Sequence, residues 1–339
     1  MWKNLVLAVL CFVVCSCGSE HERAVLEFDS SVEVAAEILS EESLMLNYPF
    51  DMFVTDSLIC VLGLTERGWI HCYDRFTGSY KGTCIANGRG PGELLLCTKL
   101  FYVPADKELY LYDTMQKKFA TYEVSDVEPY VSFVEEKSYA DLTGVEFMNI
   151  WPLGNGAVLV NSQCGPMTDS LTRFQVMNDD VVVCTCSDMP ELGGDDRYTY
   201  VQSYTTMSPD RCHLASATFF GEILEIYDVA DSSVERVVEN IYSVPNVTFR
   251  DGVLWESEQT IWGFPYVTSD DDHIYAVMTH GKDARKHNDI AVFDWQGKGL
   301  LKVTADYNVL RLAPYENGLL YAVVVDSSSG FYLASIRGL

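Results

Sequence analysis

Four segments of the chain end in an aromatic residue followed by aspartate: Trp69–Asp74 (WIHCYD), Glu108–Asp113 (ELYLYD), Ile223–Asp228 (ILEIYD) and Asp289–Asp294 (DIAVFD). Each is followed by a short turn and a second β-rich run. In such a hairpin an alternating strand buries one face, the aromatic ring extends the packed row, and the aspartate caps the turn through backbone N–H groups. A single hairpin cannot bury its face alone, so we expect these units to stack on one another.

Two further β-rich runs, Lys99–Asp106 and Phe264–Met278, precede the second and the fourth of these segments. Combined with the strands of the hairpins, these runs give four antiparallel strands per unit, which is typical of a β-propeller blade. The separation of Asp74 and Asp113, 39 residues, is close to the roughly 40–50 residues expected per blade. We therefore predict an all-β chain folded as a β-propeller.

Longer intervals between the later units predict irregular blades. We place a degenerate blade at Trp151–Cys186, with Gly156–Asn161 and Leu171–Val176 as its inner strands, and an insertion near Val244–Trp262. A final blade runs from about residue 306 to the end of the sequence. The total is six blades, or seven if the N-terminal residues form a blade of their own.

The N-terminal part of the domain is expected to close the ring. We assign the closing strand to Val25–Phe28, because pairing the two ends of the chain removes an open sheet edge. Val32–Glu42 carries the one trace of helical periodicity, with Val34 and Ile38 on one face. That segment is predicted to be either a single helix or an extended lead-in.

The first sixteen residues are typical of a secretory signal, with Lys3 before the apolar run Leu5–Val14. This run is shorter than the roughly 20 residues that a membrane-spanning helix needs. The sequence Val14-Cys15-Ser16-Cys17 resembles the lipobox of bacterial lipoproteins, which implies cleavage before Cys17 and lipid attachment to its thiol. Two or three acyl chains would anchor the protein stably. We divide the chain into a signal peptide (1–16), a lipidated tether (17–25) and a single propeller domain (26–339).

The composition describes a globular, acidic protein. The apolar fraction is 48% and the formal net charge is −26, which becomes −27 once Lys3 leaves with the signal. Such a charge repels nucleic acid and anionic headgroups, so we expect no nucleic-acid partner and attachment to the membrane through Cys17 alone. We expect a monomer, anchored to the outer membrane of the cell envelope and facing either side, with an envelope protein or a glycan as partner.

Eight cysteines remain after the signal and the lipidated residue are set aside: Cys60, Cys72, Cys84, Cys97, Cys164, Cys184, Cys186 and Cys212. An exported protein can form disulfides, but the spacings show no compact disulfide framework. Cys184 and Cys186 would face the same side of an alternating strand. We favour a place in the core, or one strand-to-strand bridge, over a metal site there.

The loop Gly88-Arg-Gly-Pro-Gly-Glu-Leu94 resembles a motif of lipoproteins from gut Bacteroidetes. That family consists of six-bladed TolB-like propellers, which are related to the NHL-repeat class. Together with the lipobox and the Tyr-Asp hairpins, the resemblance implies the architecture and the location, over roughly residues 45–339. The loop lacks the lysine and the following helix of a phosphate-binding loop, so we interpret it as a sharp turn between blades in which glycine supplies a positive φ.

Other polar or aromatic groups are weaker candidates for a site. The acidic loops Gly193–Asp196 and Asp270–His273 could hold Ca²⁺ but are better explained as solvated turns. His280–His287 carries two histidines and three cations, and either contacts an anionic ligand or is an exposed loop, which we favour. A further set of candidates could stack on sugars or belong to the core: Trp151, Trp255 and Trp262.

We predict no catalytic residue, no metal site and no cofactor, because no hydrolase or metalloprotease motif occurs in the sequence. The favoured function is a non-catalytic binding module that takes a glycan, a peptide or a partner protein. One alternative is a metal-dependent hydrolase or lyase with its site in the central channel, where ligands would come from separate blades. The other is a structural subunit of an outer-membrane complex.

Overall fold

The computed structural model describes residues 23–139, 147–162, 173–186, 203–250, 253–326 and 329–338. Two short strands come first, β1 (Ser30–Val34) and β2 (Glu37–Ile38). Blade 1 contains β3 (Asp51–Val54), β4 (Leu58–Thr65), β5 (Gly68–Asp74) and β6 (Tyr80–Thr83). Blade 2 contains β7 (Leu100–Val103), β8 (Glu108–Asp113), β9 (Lys118–Val124) and β10 (Val131–Ser138). Blade 3 contains β11 (Phe147–Pro152), β12 (Val158–Ser162), β13 (Phe174–Asn178) and β14 (Val181–Cys186).

Blade 4 contains β15 (Ser203–Met207), β16 (His213–Thr218), β17 (Glu222–Ala230) and β18 (Ser233–Ser243). A two-stranded hairpin follows, β19 (Thr248–Arg250) and β20 (Val253–Trp255). Blade 5 contains β21 (Tyr266–Ser269), β22 (His273–Met278), β23 (Asp289–Asp294) and β24 (Gly299–Ala305). Blade 6 contains β25 (Asn308–Tyr315), β26 (Leu319–Val325) and β27 (Phe331–Ile336). Short 3-10 turns lie at Gly154–Gly156 and Glu316–Gly318.

Within each of the six blades, strands that are consecutive in the sequence pair antiparallel and follow one another from the centre outward; β1 and β2 add to the outer edges of blades 5 and 6. The first strands of neighbouring blades contact each other, as β25 does with β3 and β21 with β25. The prediction of a six-bladed propeller is therefore confirmed. The degenerate blade is blade 3, in which the two predicted inner strands are the second and third strands, and the insertion is the β19–β20 hairpin between blades 4 and 5.

The predicted equivalence of Asp74 and Asp113 is wrong. Asp74 ends the third strand of blade 1, whereas Asp113 ends the second strand of blade 2. The first strands begin at residues 51, 100, 147, 203, 266 and 308, so the first two blades repeat at longer intervals than 39 residues. Strands on both sides of a hairpin have the same alternation and turn chemistry, and for this reason the local pattern does not tell the second strand from the third.

The N-terminal segment closes the ring, but through different residues from those predicted. Strand β2 pairs antiparallel with β27 as the outermost strand of blade 6, while β1 adds in parallel to β24 of blade 5. Val25–Phe28 forms no strand; instead the Phe28 ring lies 5.9 Å from that of Phe293. Of the two alternatives predicted for Val32–Glu42, the extended lead-in is confirmed and the helix is wrong, because β1 and β2 extend along two blades.

Apolar clusters fill the interfaces between consecutive blades around the whole ring. The cluster that joins the last blade to the first contains Val61 and Tyr73 of blade 1 and Val323 and Leu333 of blade 6. The middle strands are buried on both faces, as in β4 and β22. Each sheet is covered by a neighbour on either side, and the apolar runs are therefore nearly continuous rather than strictly alternating.

Three of the four motif aspartates cap their turns as predicted. Asp74 accepts hydrogen bonds from the backbone N–H groups of the turn after β5, and Asp113 and Asp294 do the same after β8 and β23. Asp228 is the exception. Strand β17 continues to Ala230, so the Asp228 carboxylate lies within the strand and contacts the His213 ring at 3.0 Å instead.

Candidate functional site

The turns between the first and second strands of the blades surround one end of the central channel, which we call the channel mouth. A cavity of about 920 Å³ opens there, and side chains from all six blades line it. Residues of the mouth include Thr55 and Asp56 of blade 1, Lys107 of blade 2, Asp210 of blade 4 and Glu316 of blade 6. The alternating direction of the strands places all these turns on the same face of the ring.

Carboxylates are the most numerous charged groups in the wall of the channel mouth, which otherwise presents mostly apolar surface. They are contributed by five blades and comprise Asp56, Asp126, Asp210, Asp270, Asp271, Asp272 and Glu316. The lysines of the described wall are Lys99 and Lys107. A concave surface of one charge sign concentrates the electrostatic potential and attracts ions of the opposite sign.

The acidic turn Asp270–His273 projects into this cavity between β21 and β22. The Asp270 carboxylate accepts hydrogen bonds from the backbone N–H groups of Asp272 (2.9 Å) and His273 (2.7 Å) and from the Tyr275 hydroxyl (2.7 Å). These contacts hold the turn in one conformation, as the sequence predicts for an aspartate at the start of a turn. The side chains of Asp271 and Asp272 are exposed beside it.

Two carboxylates of the mouth have pKa values shifted in opposite directions. Partial loss of hydration and the nearby charges of Asp210, Asp270 and Asp272 raise the pKa of Asp271 above its ordinary value, although its side chain is exposed. Burial also acts to raise the pKa of Asp210, but hydrogen bonds from the Ser208 hydroxyl (2.6 Å) and the Cys212 amide (2.9 Å) outweigh it and lower that pKa. The lowered pKa favours the anionic form of Asp210, whereas a bound cation would relieve the repulsion that raises the pKa of Asp271.

A buried ion pair lies deeper in the channel wall. Asp51, at the start of β3, lies 3.2 Å from the Lys99 ammonium and accepts hydrogen bonds from the Leu100 amide and the Tyr266 hydroxyl. The aspartate is almost fully buried, so these donors replace the water that its charge has lost. Lys99 is thereby compensated within the protein, and its charge does little to offset the carboxylates of the mouth.

Arg311 of β25 lies behind this pair and is also buried. Its guanidinium donates to the Phe50 and Leu310 carbonyls and to the Tyr48 hydroxyl, and it lies 4.9 Å from the centre of the Tyr266 ring. Planar donors of this kind satisfy several acceptors at once. Arg311 therefore ties the first strand of blade 6 to the segment that enters blade 1.

The glycine loop is a connection between blades, as predicted. It joins blade 1 to blade 2 on the face opposite the channel mouth, and Gly92 adopts a φ of +69°. The Trp69 indole donates to the Leu94 carbonyl, the Tyr122 hydroxyl donates to the Gly92 carbonyl, and the Asp113 carboxylate accepts from the Leu95 amide. Side chains of both blades thus hold this loop in place.

The loop His280–His287 joins β22 to β23, which places it on the face opposite the channel mouth. His280 hydrogen-bonds to Asn288 and His287 to the Val309 carbonyl, while Arg285 is 95% exposed. Its charged side chains belong to an exposed loop, the interpretation favoured from the sequence.

The three tryptophans that were candidates for sugar stacking differ in exposure. Trp151 lines the cavity but is 1% exposed, Trp262 packs against Phe219 and Phe220, and Trp255 is 58% exposed in the β19–β20 hairpin. Stacking on a ligand requires an open ring face, and Trp255 is the one of the three with a mostly exposed side chain.

Cys184 and Cys186 pack against the same core cluster, as predicted, and both are thiols. Cys17, Cys164 and the loop Gly193–Asp196 lie outside the described residues. Within the described ranges there is no group of three or more His, Cys, Asp or Glu side chains arranged to hold a metal ion. No helix in the same ranges is long and apolar enough to cross a membrane.

Sequence reasoning identified the acidic turn of blade 5 but missed the rest of the mouth. Asp56, Asp126 and Asp210 are isolated aspartates in the sequence, and only the closed ring brings them to one cavity. The pairing of Asp51 and Lys99 could have been suspected from the sequence, because each is a charged residue at the border of an apolar strand. Such residues are seldom buried unless they are paired.

Comparisons with known proteins agree with this architecture. The chain superposes on an exported protein of Bacteroides fragilis with a TM-score of 0.55 and 12% identity, over 91% of this chain and 98% of that protein. It superposes on a luciferin-regenerating enzyme (TM-score 0.53, 11% identity, 90% and 96% coverage) and on the calcium-binding protein regucalcin of Agrobacterium tumefaciens (TM-score 0.51, 10% identity, 91% and 97% coverage). These similarities show the fold alone, and no curated protein matches the sequence. The pattern of the TolB-like 6-blade propeller-like family matches residues 27–313, and the chain therefore belongs to that family.

Proposed function

We propose that this propeller is a non-catalytic binding module, held at the cell envelope by lipid on Cys17, and that it binds a positively charged peptide segment of a partner protein at the channel mouth. The observation that carries the proposal is the carboxylate wall of the 920 Å³ cavity. That volume falls in the range of roughly 300–1,000 Å³ that is usual for ligand sites. It accommodates a few side chains rather than a folded domain.

The negative charge of the wall favours some of the ligand classes predicted from the sequence over others. A neutral glycan gains little from a ring of carboxylates, whereas a lysine or arginine side chain gains direct ion pairs and a faster encounter. Lys107 is the one cation of the described wall that no salt bridge compensates among the described residues. We therefore favour a basic peptide over a glycan.

Asp271 is expected to be the main contact. Among the described residues no donor contacts its carboxylate, and its neighbours disfavour its charge. A bound cation removes that repulsion, so binding is expected to lower the pKa of Asp271. The aromatic ring of Tyr315, also at the rim, lies 4.2 Å from the Arg75 guanidinium, which shows that this rim already accommodates one cation against an aromatic face.

The test uses a fluorescein-labelled hexalysine peptide, with hexaglutamate as the comparison probe, and fluorescence anisotropy at about 50 mM salt. We expect hexalysine alone to bind and the variant Asp271→Asn/Asp272→Asn to weaken that binding about tenfold. The control variant Glu66→Gln/Glu235→Gln removes the same charge from exposed positions away from the mouth and should keep wild-type affinity. Equal losses in both variants would show attraction to net charge only and would refute the proposed site.

The alternative of a metal-dependent enzyme would depend on the same carboxylates. Calorimetric titration of the protein with Ca²⁺ separates the two functions. Stoichiometric binding that disappears in the Asp271→Asn/Asp272→Asn variant would favour the metalloenzyme. Binding of hexalysine that is unaffected by saturating Ca²⁺ would favour the peptide site.

The envelope location is tested separately through Cys17. We expect a Cys17→Ala variant to fold but to leave the membrane fraction, because the acidic domain has no attraction of its own to anionic lipid. Incorporation of labelled palmitate into the wild type and not into the variant is the matching readout. A variant that stays in the membrane fraction would contradict lipid anchoring.

A further inference from the structure

Three thiols are in contact within the sheet of blade 1. The Cys60 Sγ lies 3.3 Å from the Cys72 Sγ, which in turn lies 3.4 Å from the Cys84 Sγ. Cys60 and Cys72 lie on the neighbouring strands β4 and β5, and Cys84 follows β6. Both Cys60 and Cys72 are fully buried, while Cys84 is partly exposed. No part of the proposed binding site uses these residues.

The register of the sheet makes Cys60 and Cys72 a suitable pair for a disulfide. They are direct cross-strand partners. The Arg75 amide donates to the Ser57 carbonyl three positions along this ladder; because hydrogen-bonded and non-hydrogen-bonded pairs alternate, Cys60 and Cys72 form a non-hydrogen-bonded pair. Such pairs have Cα atoms about 4.5 Å apart, within the range of about 4.4–6.8 Å found for disulfides.

Cys84 stands in a different relation to Cys72. The residue opposite Cys72 on β6 is Gly82, and the Cys84 amide donates to the Ile70 carbonyl, so Cys72 and Cys84 are diagonal neighbours. Diagonal positions are roughly 7–8 Å apart, at or beyond the limit for an unstrained disulfide. A bond between them is therefore less stable than one between Cys60 and Cys72.

We propose that Cys60, Cys72 and Cys84 form a thiol relay, in which oxidation that begins at Cys84 ends as a Cys60–Cys72 disulfide inside blade 1. The oxidant is a disulfide, RSSR. The Cys84 thiolate attacks it, forms a mixed disulfide and releases one RSH. Cys72 then attacks the Cys84 sulfur and releases the second RSH, and Cys60 attacks the Cys72 sulfur and expels Cys84 as a thiol. Overall, two protein thiols are oxidised to one disulfide and RSSR is reduced to two RSH.

The order of attack follows from exposure. Cys84 is the member of the trio that an external disulfide can reach, and Cys72 contacts both of the others. The hydrogen bond to Cys72 and burial raise the pKa of Cys84, so we expect oxidation on the order of hours at neutral pH. In the cell, the relay needs an oxidising compartment, and that requirement rests on the proposed envelope location. The thiol chemistry within the sheet does not depend on it.

The test treats the reduced, folded mature chain with oxidised glutathione and maps the cysteines by differential alkylation and peptide mass spectrometry. In the wild type we expect a crosslinked peptide pair containing Cys60 and Cys72, with Cys84 recovered as a thiol. The matched control is Cys97→Ser, because Cys97 is buried in the same cluster but donates to the Lys99 carbonyl instead of contacting the trio. It should behave as the wild type does.

Two variants separate the steps. Cys84→Ser should give the same crosslink at least tenfold more slowly, and Cys72→Ser should give no crosslink among the trio. A crosslink between Cys60 and Cys84 in Cys72→Ser, or an unchanged rate in Cys84→Ser, would overturn the relay. Wild-type protein in which Cys60 and Cys72 both stay reduced would overturn the proposal without any variant. None of these results depends on peptide binding at the channel mouth.

Discussion

Replacing Asp113 by alanine should destabilise the propeller strongly. The carboxylate is fully buried and accepts four hydrogen bonds: from the backbone amides of Leu95 (2.5 Å), Met115 (2.9 Å) and Gln116 (2.9 Å), and from the Gln116 side chain (2.8 Å). Alanine leaves three backbone donors without their acceptor, and each buried unsatisfied group costs about 1–3 kcal/mol. Partial relaxation around the turn reduces the total, and we expect a loss of about 4 kcal/mol.

The matched control is Asp74→Ala, which removes the same residue type from the same sequence pattern at a partly exposed turn. Water can replace that cap, so the expected loss is about 1 kcal/mol. Urea unfolding followed by tryptophan fluorescence and far-UV circular dichroism measures both values. Equal losses, or a loss below about 1 kcal/mol for Asp113→Ala, would refute the argument that the buried aspartate locks the glycine loop.

Three further changes test the ring closure, the glycine loop and the response to acid. Leu39→Pro removes the amide that donates to the Leu333 carbonyl of β27 (2.9 Å) and should cost about 3 kcal/mol in urea unfolding. Val25→Pro, at a position outside any strand, should cost under about 0.5 kcal/mol. In Gly92→Ala, alanine must adopt a positive φ and its Cβ lies 2.6 Å from a ring carbon of Phe133, so stability should fall by about 2 kcal/mol or more. In the control Gly82→Ala, the new Cβ has no atom within 4 Å and stability should not change. Burial opposes the charge of Asp289, but the hydrogen bonds from Lys302 and Thr304 outweigh burial and lower the pKa of Asp289. The ionised carboxylate therefore stabilises the fold above about pH 4, and this contribution is lost as the pH falls further. In the Asp289→Asn variant, stability should fall less steeply with decreasing pH in that range. An acid titration that is the same for wild type and Asp289→Asn would contradict the last expectation.

The repeating hairpins were sufficient to predict a β-propeller, because each blade contains its own alternating strands and turn residues. They favoured six blades but left seven as the alternative. The order of strands within a blade was harder to predict. Asp74 and Asp113 look alike in the sequence, yet they end different strands, since both sides of a hairpin obey the same local rules. The closing strand was misplaced for a related reason. Val25–Phe28 and Glu37–Ile38 are both short, partly apolar segments, and only the path of the chain across blades 5 and 6 distinguishes them.

The channel mouth could be predicted only in part. The turn Asp270–His273 was visible because its acidic residues are consecutive in the sequence. The other carboxylates come from separate blades, and their distance in sequence hides their proximity in space. The thiol trio was hidden in the same way, because its contacts depend on the register of three strands rather than on a spacing such as Cys-x-x-Cys.

The sequence by itself determined the chemistry of the parts: strands apolar enough to be covered on both faces, aspartates that cap turns, and a strongly acidic surface. These properties depend on residues within a few positions of one another, so they can be predicted from the sequence. The tertiary structure alone decided which carboxylates share a cavity, which cysteines touch and which segment closes the ring. Those relations join residues as much as 298 positions apart, and they exist only once the first and last blades have met.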